Sequence, residues 1–113
     1  LVSKTPELLV QQQLNAYNAR NIEAFLEPYS DDVEIYSFPN TLISKGKDAM
    51  RKSYTDMFAK LPNLHCELKG RIIQGNIVID RESVSGMISN TKVEATAVYE
   101  IKNHKIIKVY FIR

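Results

Sequence analysis

The spacing of apolar residues along this chain changes at Pro62, and that change constrains the fold more than any single motif. Before Pro62 most apolar residues recur every three or four positions, as on the buried face of a helix. After it they alternate with polar residues, as at Leu64, Cys66 and Leu68, which is typical of a strand with one buried face. Helices followed by strands predict an α+β fold, and 113 residues predict a single domain, residues 1–113.

Three helices are predicted before the change of spacing. The first begins at Thr5, a hydroxyl cap followed by proline, and breaks at residues 18–21. The second is shorter and covers residues 22–29, and the third runs from Gly46 to the proline that stops it. Between the second and third helices, residues 33–38 alternate in character and predict a strand.

The later strands are predicted to form an antiparallel sheet. Gly75–Asn76 lies between two apolar runs and indicates a tight hairpin turn. A further strand covers residues 92–102, and a turn at Asn103–His104 leads into a last strand over residues 106–113. We expect this sheet to curl around the helices as a cone whose open mouth holds a cavity of roughly 300–1,000 Å³.

Five stretches of the chain together resemble one group of proteins. They are residues 17–25 (Tyr-Asn-Ala-Arg-Asn-Ile-Glu-Ala-Phe), 31–33 (Asp-Asp-Val), 45–47 (Lys-Gly-Lys), 78–86 (Val-Ile-Asp-Arg-Glu-Ser-Val-Ser-Gly) and the closing segment 98–107. The chain resembles the NTF2-like superfamily, close to its SnoaL-like and steroid delta-isomerase-like proteins. The resemblance implies a cystatin-like cone, with three N-terminal helices packed in a curved, mostly antiparallel sheet, and it implies a homodimer. It implies no single activity, because the superfamily includes isomerases, cyclases, dehydratases, epoxide hydrolases and binding modules.

The catalytic groups of ketosteroid isomerase do not carry over to this sequence. That enzyme uses an Asp base, with a Tyr and a protonated Asp as donors to the oxyanion. Its base falls on Ser37 or Phe38, its donor tyrosine on Gln13, and its protonated acid near Val98 or Tyr99. Neither Ser37 nor Phe38 can act as a general base. Steroid isomerisation by that route is therefore excluded.

Four tyrosines are candidate ligand-binding residues in the predicted cavity: Tyr17, Tyr36, Tyr54 and Tyr99. Phe58, on the apolar stripe of the third helix, is a fifth candidate. In one interpretation the buried phenol hydroxyls hold a carbonyl group or a water, as in the dehydratase-like relatives. In the other, the rings only fill the core and their hydroxyls bind backbone or solvent.

Residues 80–82 (Asp-Arg-Glu) form the densest charged cluster of the chain. Consecutive strand residues point to opposite faces, so Arg81 cannot share a face with both of its neighbours. A two-residue turn at Gly75–Asn76 would place Arg71 opposite Asp80, Gly70 opposite Arg81 and Lys69 opposite Glu82.

Two orientations of this cluster are possible. We favour the one in which the more apolar face, with Ile77 and Ile79, lines the cone, so that Arg81 points inward and clamps an anionic ligand group. In the alternative, Arg71 and Asp80 face inward and resemble the polar floor of the epoxide-hydrolase relatives. A bulge at Gly70 would reverse part of the favoured interpretation.

The composition argues against several kinds of partner. The net charge of +2 is too small to favour nucleic acid. Cys66 is the single cysteine, and neither His65 nor His104 has a neighbour at metal-ligand spacing, so we expect no metal site. No glycine-rich phosphate loop occurs, and we expect no cofactor. No apolar run reaches the roughly 18 residues of a membrane span, and the lone cysteine fits a cytoplasmic protein.

The last strand is apolar on both faces, which predicts a partner subunit. Ile106, Tyr110 and Ile112 are assigned to one face, and Ile107, Val109 and Phe111 to the other. A strand of this kind is covered on both sides. Because helices cover only the concave side, we predict a homodimer through the convex face of the sheet.

Three functions are consistent with these features. The favoured one is binding of a small apolar organic molecule in a tyrosine-lined cavity. The second is an isomerase, dehydratase or hydrolase in which the pocket tyrosines act with Arg81 or Asp80. The third is a protein-interaction module without small-molecule chemistry.

Overall fold

The computed structural model describes residues 4–113, which form three helices and six strands. The helices are α1 (Pro6–Ala19), α2 (Ile22–Leu26) and α3 (Lys47–Lys60). The strands are β1 (Tyr29–Ser37), β2 (Thr41–Lys45), β3 (His65–Gln74), β4 (Ile77–Ser85), β5 (Val93–Lys102) and β6 (Lys105–Ile112). The predicted α+β class and the three N-terminal helices are confirmed.

The starts of the first two helices follow from local hydrogen bonds. The Thr5 hydroxyl accepts from the backbone N–H of Leu8 at 3.1 Å, as predicted for an N-cap. Asn21 caps α2 in the same way, by accepting from Ala24 at 3.1 Å. The second helix is shorter than predicted, because the chain already pairs as β1 from Tyr29 onward.

The six strands form one sheet in the order β2-β1-β6-β5-β4-β3. Only β1 and β6 pair in parallel, and all other neighbours are antiparallel, so the sheet is mostly antiparallel as predicted. β2 was not predicted, because this five-residue edge strand has no buried face and therefore no alternation of apolar and polar residues. Within residues 4–113, no helix is long and apolar enough to cross a membrane.

A bulge in β3 decides which side chains reach the interior. The hairpin turns at Gly75–Asn76, and Arg71 pairs with Asp80 as predicted. The predicted pairing of Lys69 with Glu82 is wrong, because the register shifts between Leu68 and Gly70 and Leu68 takes that place. One extra residue in a strand brings side chains three positions apart to the same face. Leu68 and Arg71 therefore both lie on the inner face of the sheet.

Side-chain contacts fasten the C-terminal end of α1 to the start of β3. Asn18 pairs with the backbone of Cys66 in both directions, donating from Nδ2 at 2.9 Å and accepting at Oδ1 at 2.8 Å. The guanidinium of Arg20 donates to the carbonyls of Leu61, Pro62 and Leu64. These contacts hold Cys66 at a fixed position on the inner face.

The outer face of the sheet carries an apolar row that crosses all six strands. Successive cross-strand partners form it, and we call it the outer row: Leu42, Tyr36, Tyr110, Val98, Ile79 and Ile72. The rings of Tyr36 and Tyr110 are stacked, with centroids 4.9 Å apart.

One expected member of this face lies inside the protein. Ile106 was assigned to the same face as Tyr110, but it is fully buried in the core. The pairing of β5 with β6 shifts between Glu100 and Ile101, so Ile107 has no direct partner and the alternation changes face there.

Candidate functional site

A cavity of about 160 Å³ opens between the helices and the inner face of the sheet. This volume is below the range expected from the sequence. Its lining is mainly apolar and aromatic: Gln13, Leu14, Tyr17, Phe25, Tyr29, Tyr54, Met57, Cys66, Glu82, Val84, Met87, Val93, Ala95, Tyr99, Phe111 and Arg113. Three of the candidate residues, Tyr17, Tyr54 and Tyr99, are among them.

Tyr17 and Tyr54 belong to an aromatic cluster from α1, α2 and α3. The Tyr17 ring lies 5.6 Å from that of Phe58 and 6.3 Å from that of Tyr54, in edge-on arrangements. Phe58 is buried behind this layer and is not among the lining residues. Burial raises the pKa of Tyr54 to about 12 and that of Tyr17 further, so both phenols keep their protons at neutral pH.

Tyr36 lies outside the cavity, contrary to the expectation that it lines the cone. Its strand turns Val33 and Ile35 inward, and the alternation therefore places Tyr36 on the outer face. There its hydroxyl donates to Glu34 at 2.8 Å.

Arg81 also lies on the outer face, so its favoured inward orientation is wrong. It is exposed, while its neighbours Asp80 and Glu82 are only 0% and 6% exposed. The sequence-based prediction places the more apolar face of β4 in the cavity. That criterion fails because Ile79, on the same side as Arg81, belongs to the outer row.

The buried carboxylate of Asp80 is held by Arg71. Arg71 donates from Nε to Oδ1 at 2.7 Å and from Nη2 to Oδ2 at 2.9 Å, a bidentate geometry. Its Nη1 also donates to Gln11 of α1 at 2.9 Å. Because Arg71 donates to both oxygens, the Asp80 carboxylate is already paired within the protein.

Glu82, which was not singled out as a site residue, is the carboxyl group that lines the cavity. Burial and the nearby charge of Asp80 raise its pKa to about 7, although a hydrogen bond from the Cys66 thiol and the charge of Arg71 oppose part of the shift. Among the described residues, no cation lies within ion-pair distance of it. Glu82 is therefore present in both protonation states near neutral pH. The alternation of Val78, Asp80 and Glu82 was the available signal for its position.

Gln13 was also missed as a functional residue. It is buried on α1 and lines the cavity, at the place where the donor tyrosine of ketosteroid isomerase falls. Its Oε1 accepts from the hydroxyl of Tyr29 at 2.9 Å. Its Nε2 donates to the carbonyl of Val10 at 3.0 Å and to the hydroxyl oxygen of Tyr99 at 3.2 Å. Gln13 thus connects two buried tyrosines of the cavity wall.

The polar side chains described here do not form a metal centre. Within residues 4–113, no group of three or more His, Cys, Asp or Glu side chains is placed to hold a metal ion. Burial raises the pKa of the Cys66 thiol to about 12, so the thiol is not ionised at neutral pH.

Comparison with known proteins identifies the family. A family model described as a SnoaL-like domain matches residues 10–109, so the chain belongs to the SnoaL-like family. Comparison with curated proteins finds no match.

Several solved structures share the fold. An uncharacterized cystatin-fold protein from Novosphingobium aromaticivorans has a TM-score of 0.88 at 24% identity, over 96% of this chain and 98% of that one. A putative polyketide cyclase from Sinorhizobium meliloti has a TM-score of 0.78 at 17% identity, over 91% and 92% of the two chains. A putative hydroxylase from Streptomyces galilaeus has a TM-score of 0.74 at 18% identity, over 97% and 79%. The predicted NTF2-like fold is confirmed, and at these identities the likeness concerns the fold alone.

We predict that Glu82 makes stability depend on pH. The folded-state pKa of about 7 lies above the ordinary value of 4.5, so the folded state binds the proton more tightly than the unfolded state. Its contribution is fully present below about pH 4.5 and is lost as the pH rises through about 7. Relative to Glu82→Gln, the wild type should lose roughly 3 kcal/mol of unfolding free energy across this window.

Urea denaturation of both proteins at several pH values measures this difference. Glu67→Gln, which alters an exposed carboxylate on β3, is the control and should differ from the wild type by a constant amount. A constant difference for Glu82→Gln as well would contradict the prediction.

Proposed function

We propose that this member of the SnoaL-like family binds a small, mainly apolar organic molecule of about one ring in its cavity, and that Glu82 exchanges a proton with it. The observation that carries the proposal is the position of Glu82, the one carboxyl group among the described residues that line this mainly apolar and aromatic cavity, where burial raises its pKa to about 7. Apolar cavities of about this volume are known to accept benzene.

The size and lining of the cavity support binding. A single-ring molecule that buries roughly 200 Å² of apolar surface gains about 5 kcal/mol, at about 25 cal/mol per Å². This corresponds to a dissociation constant in the range of roughly 0.1–1 mM. The apolar lining alone therefore supports weak binding that depends on the size of the ligand. Polar contacts are needed for higher affinity and for selectivity between ligands of similar size.

Catalysis is the second candidate function, and the pKa of Glu82 favours it. A general base works best when its pKa lies near the working pH, and Glu82 meets that condition at about 7. Asp80 is occupied by Arg71, and Arg81 lies on the other face, so neither takes the working role considered from the sequence. Glu82 takes that role in this proposal.

A homodimer through the outer face is also part of the proposal. The outer row leaves Ile72 at 63% and Leu42 at 50% exposure, although both belong to one continuous apolar row. A second copy covers the row in both subunits at once, since the same surface meets itself across a two-fold axis.

Single-ring compounds should stabilise the protein against heat. We expect acetophenone to raise the melting temperature of the wild type in a concentration-dependent way. Ala95→Phe places a ring in the cavity and should abolish the shift, whereas Ala59→Phe, on the exposed side of α3, should retain it. If no single-ring compound shifts the wild type, the binding proposal is wrong and the protein-interaction function gains support.

Glu82 should catalyse proton exchange at the methyl carbon of bound acetophenone. The carboxylate takes a methyl proton, leaving the enolate, and in D₂O a deuteron returns to the carbon. NMR should show a rate that rises with pH to a plateau, with its midpoint near 7, because the ionised form is the base. Glu82→Gln should lower the rate by at least about 100-fold, and Glu67→Gln should leave it unchanged. Equal rates in the wild type and Glu82→Gln would remove Glu82 from the chemistry.

The dimer is tested by sedimentation velocity. At roughly 10 μM the protein should sediment at twice the chain mass of 12.9 kDa. Ile72→Asp should shift it to the monomer, because a charge in the outer row cannot be buried without a partner. Ile88→Asp makes the same change at a residue that is 91% exposed and outside the row, and it should remain dimeric. A monomeric wild type would contradict the proposal.

A further inference from the structure

The amide of Gln13 has only one orientation that satisfies its neighbours. One of its two terminal atoms lies 3.0 Å from the carbonyl oxygen of Val10, which can only accept a hydrogen bond. That atom must therefore be the nitrogen, and the amide oxygen must face Tyr29. The reverse orientation would place two acceptors, the amide oxygen and the carbonyl oxygen of Val10, against each other.

This orientation fixes the role of each tyrosine in the network. The Tyr29 hydroxyl donates its hydrogen to Oε1 of Gln13. The two hydrogens on Nε2 go to Val10 and to the oxygen of Tyr99, so Tyr99 acts as the acceptor in its contact with Gln13. The hydroxyl hydrogen of Tyr99 therefore remains available. Among residues 4–113 no side chain or backbone oxygen accepts it, and Glu82 is not hydrogen-bonded to it.

Tyr99 differs in this respect from the other tyrosines that line the cavity. It is only 3% exposed, so bulk water does not satisfy its hydrogen. Tyr17 and Tyr54 are half-buried, and their hydroxyls are not fixed by any hydrogen bond to the described residues. Burial raises the pKa of Tyr99 well above its ordinary value, which keeps the group a donor throughout the physiological range. A buried donor without an acceptor is costly, and a ligand atom in the cavity can remove that cost.

We propose that the Tyr99 hydroxyl is the polar subsite of the cavity, and that it selects single-ring ligands bearing a hydrogen-bond acceptor, such as a carbonyl oxygen. Gln13 is the positioning residue, because its amide nitrogen forces Tyr99 to donate toward the cavity. This inference rests on the proposed function, since it concerns which molecules the same cavity accepts.

The preference can be measured with two molecules of nearly the same shape. Acetophenone and α-methylstyrene differ only in having a carbonyl oxygen or a methylene group on the same carbon. At about pH 8.5 Glu82 is mostly ionised and cannot donate to either one. Calorimetric titration of the wild type should then give an affinity for acetophenone about 2- to 10-fold higher than for α-methylstyrene, the contribution of one neutral hydrogen bond.

Two variants assign the preference to named atoms. Tyr99→Phe removes the donor, and the ratio of the two affinities should fall to 1 or below while α-methylstyrene still binds, because the ligand carbonyl would be buried without a partner. Gln13→Glu replaces the amide nitrogen with an acceptor that takes the Tyr99 hydrogen, so its ratio should also fall to 1 or below. Tyr36→Phe, the control, removes a tyrosine hydroxyl from the outer face and should keep the wild-type ratio. Because the ratio is taken within each variant, a general loss of stability does not change it.

The outcomes separate this inference from the proposed function. If neither compound binds the wild type, the proposed function is wrong and the inference falls with it. If both bind equally well, the cavity binds ligands but the Tyr99 subsite is overturned. A ratio that survives Tyr99→Phe but collapses in Tyr54→Phe would also overturn it, by assigning the donor to Tyr54.

Discussion

The buried pair of Arg71 and Asp80 is the interaction on which the chemistry of this cavity depends. Asp80 is fully buried, and an unpaired carboxylate at that position would be prohibitively costly, so the sheet must supply a cation on its inner face. The hairpin supplies it, because the turn at Gly75–Asn76 places Arg71 opposite Asp80 on the same face. The charge of Asp80 then helps to raise the pKa of Glu82, two residues along the same face, toward neutrality. The bulge at Lys69 places Leu68, and not a lysine, directly opposite Glu82, so an apolar side chain faces this carboxyl group.

Helix α1 connects this charged pair to the cavity wall. Gln11 accepts a hydrogen bond from Arg71, and Gln13 links Tyr29 to Tyr99. Both glutamines lie between the apolar residues that pack α1 into the core. The packing of the helix therefore also sets the positions of their amide groups relative to the sheet. The helix therefore orients the polar groups of the site as well as burying its own apolar face. Helix packing and site geometry cannot vary independently in such an arrangement.

Most of the fold was predictable from the sequence, and about half of the candidate site was. Helix caps such as Thr5 and the turn at Gly75–Asn76 are local signals, and the structure follows them. The bulge at Lys69 is not a local signal, because an extra residue leaves the composition of the strand unchanged. It places Arg71 on the same face as Leu68, and the partners Asp80 and Glu82 therefore lie inside while Arg81 lies outside. Tyr17, Tyr54 and Tyr99 were found because aromatic residues at helical or alternating spacing mark an interior face. Tyr36 was misplaced because the outer face of this sheet is apolar too.

The titration of Glu82 is the most direct test of this account. Its side-chain carboxyl carbon can be followed by NMR across pH in protein labelled with carbon-13, with Glu82→Gln to assign the signal. We predict a midpoint near 7, because burial and the charge of Asp80 both disfavour the ionised form. A midpoint near the ordinary value of 4.5 would contradict the account, since Glu82 would then be a plain, fully ionised carboxylate at neutral pH.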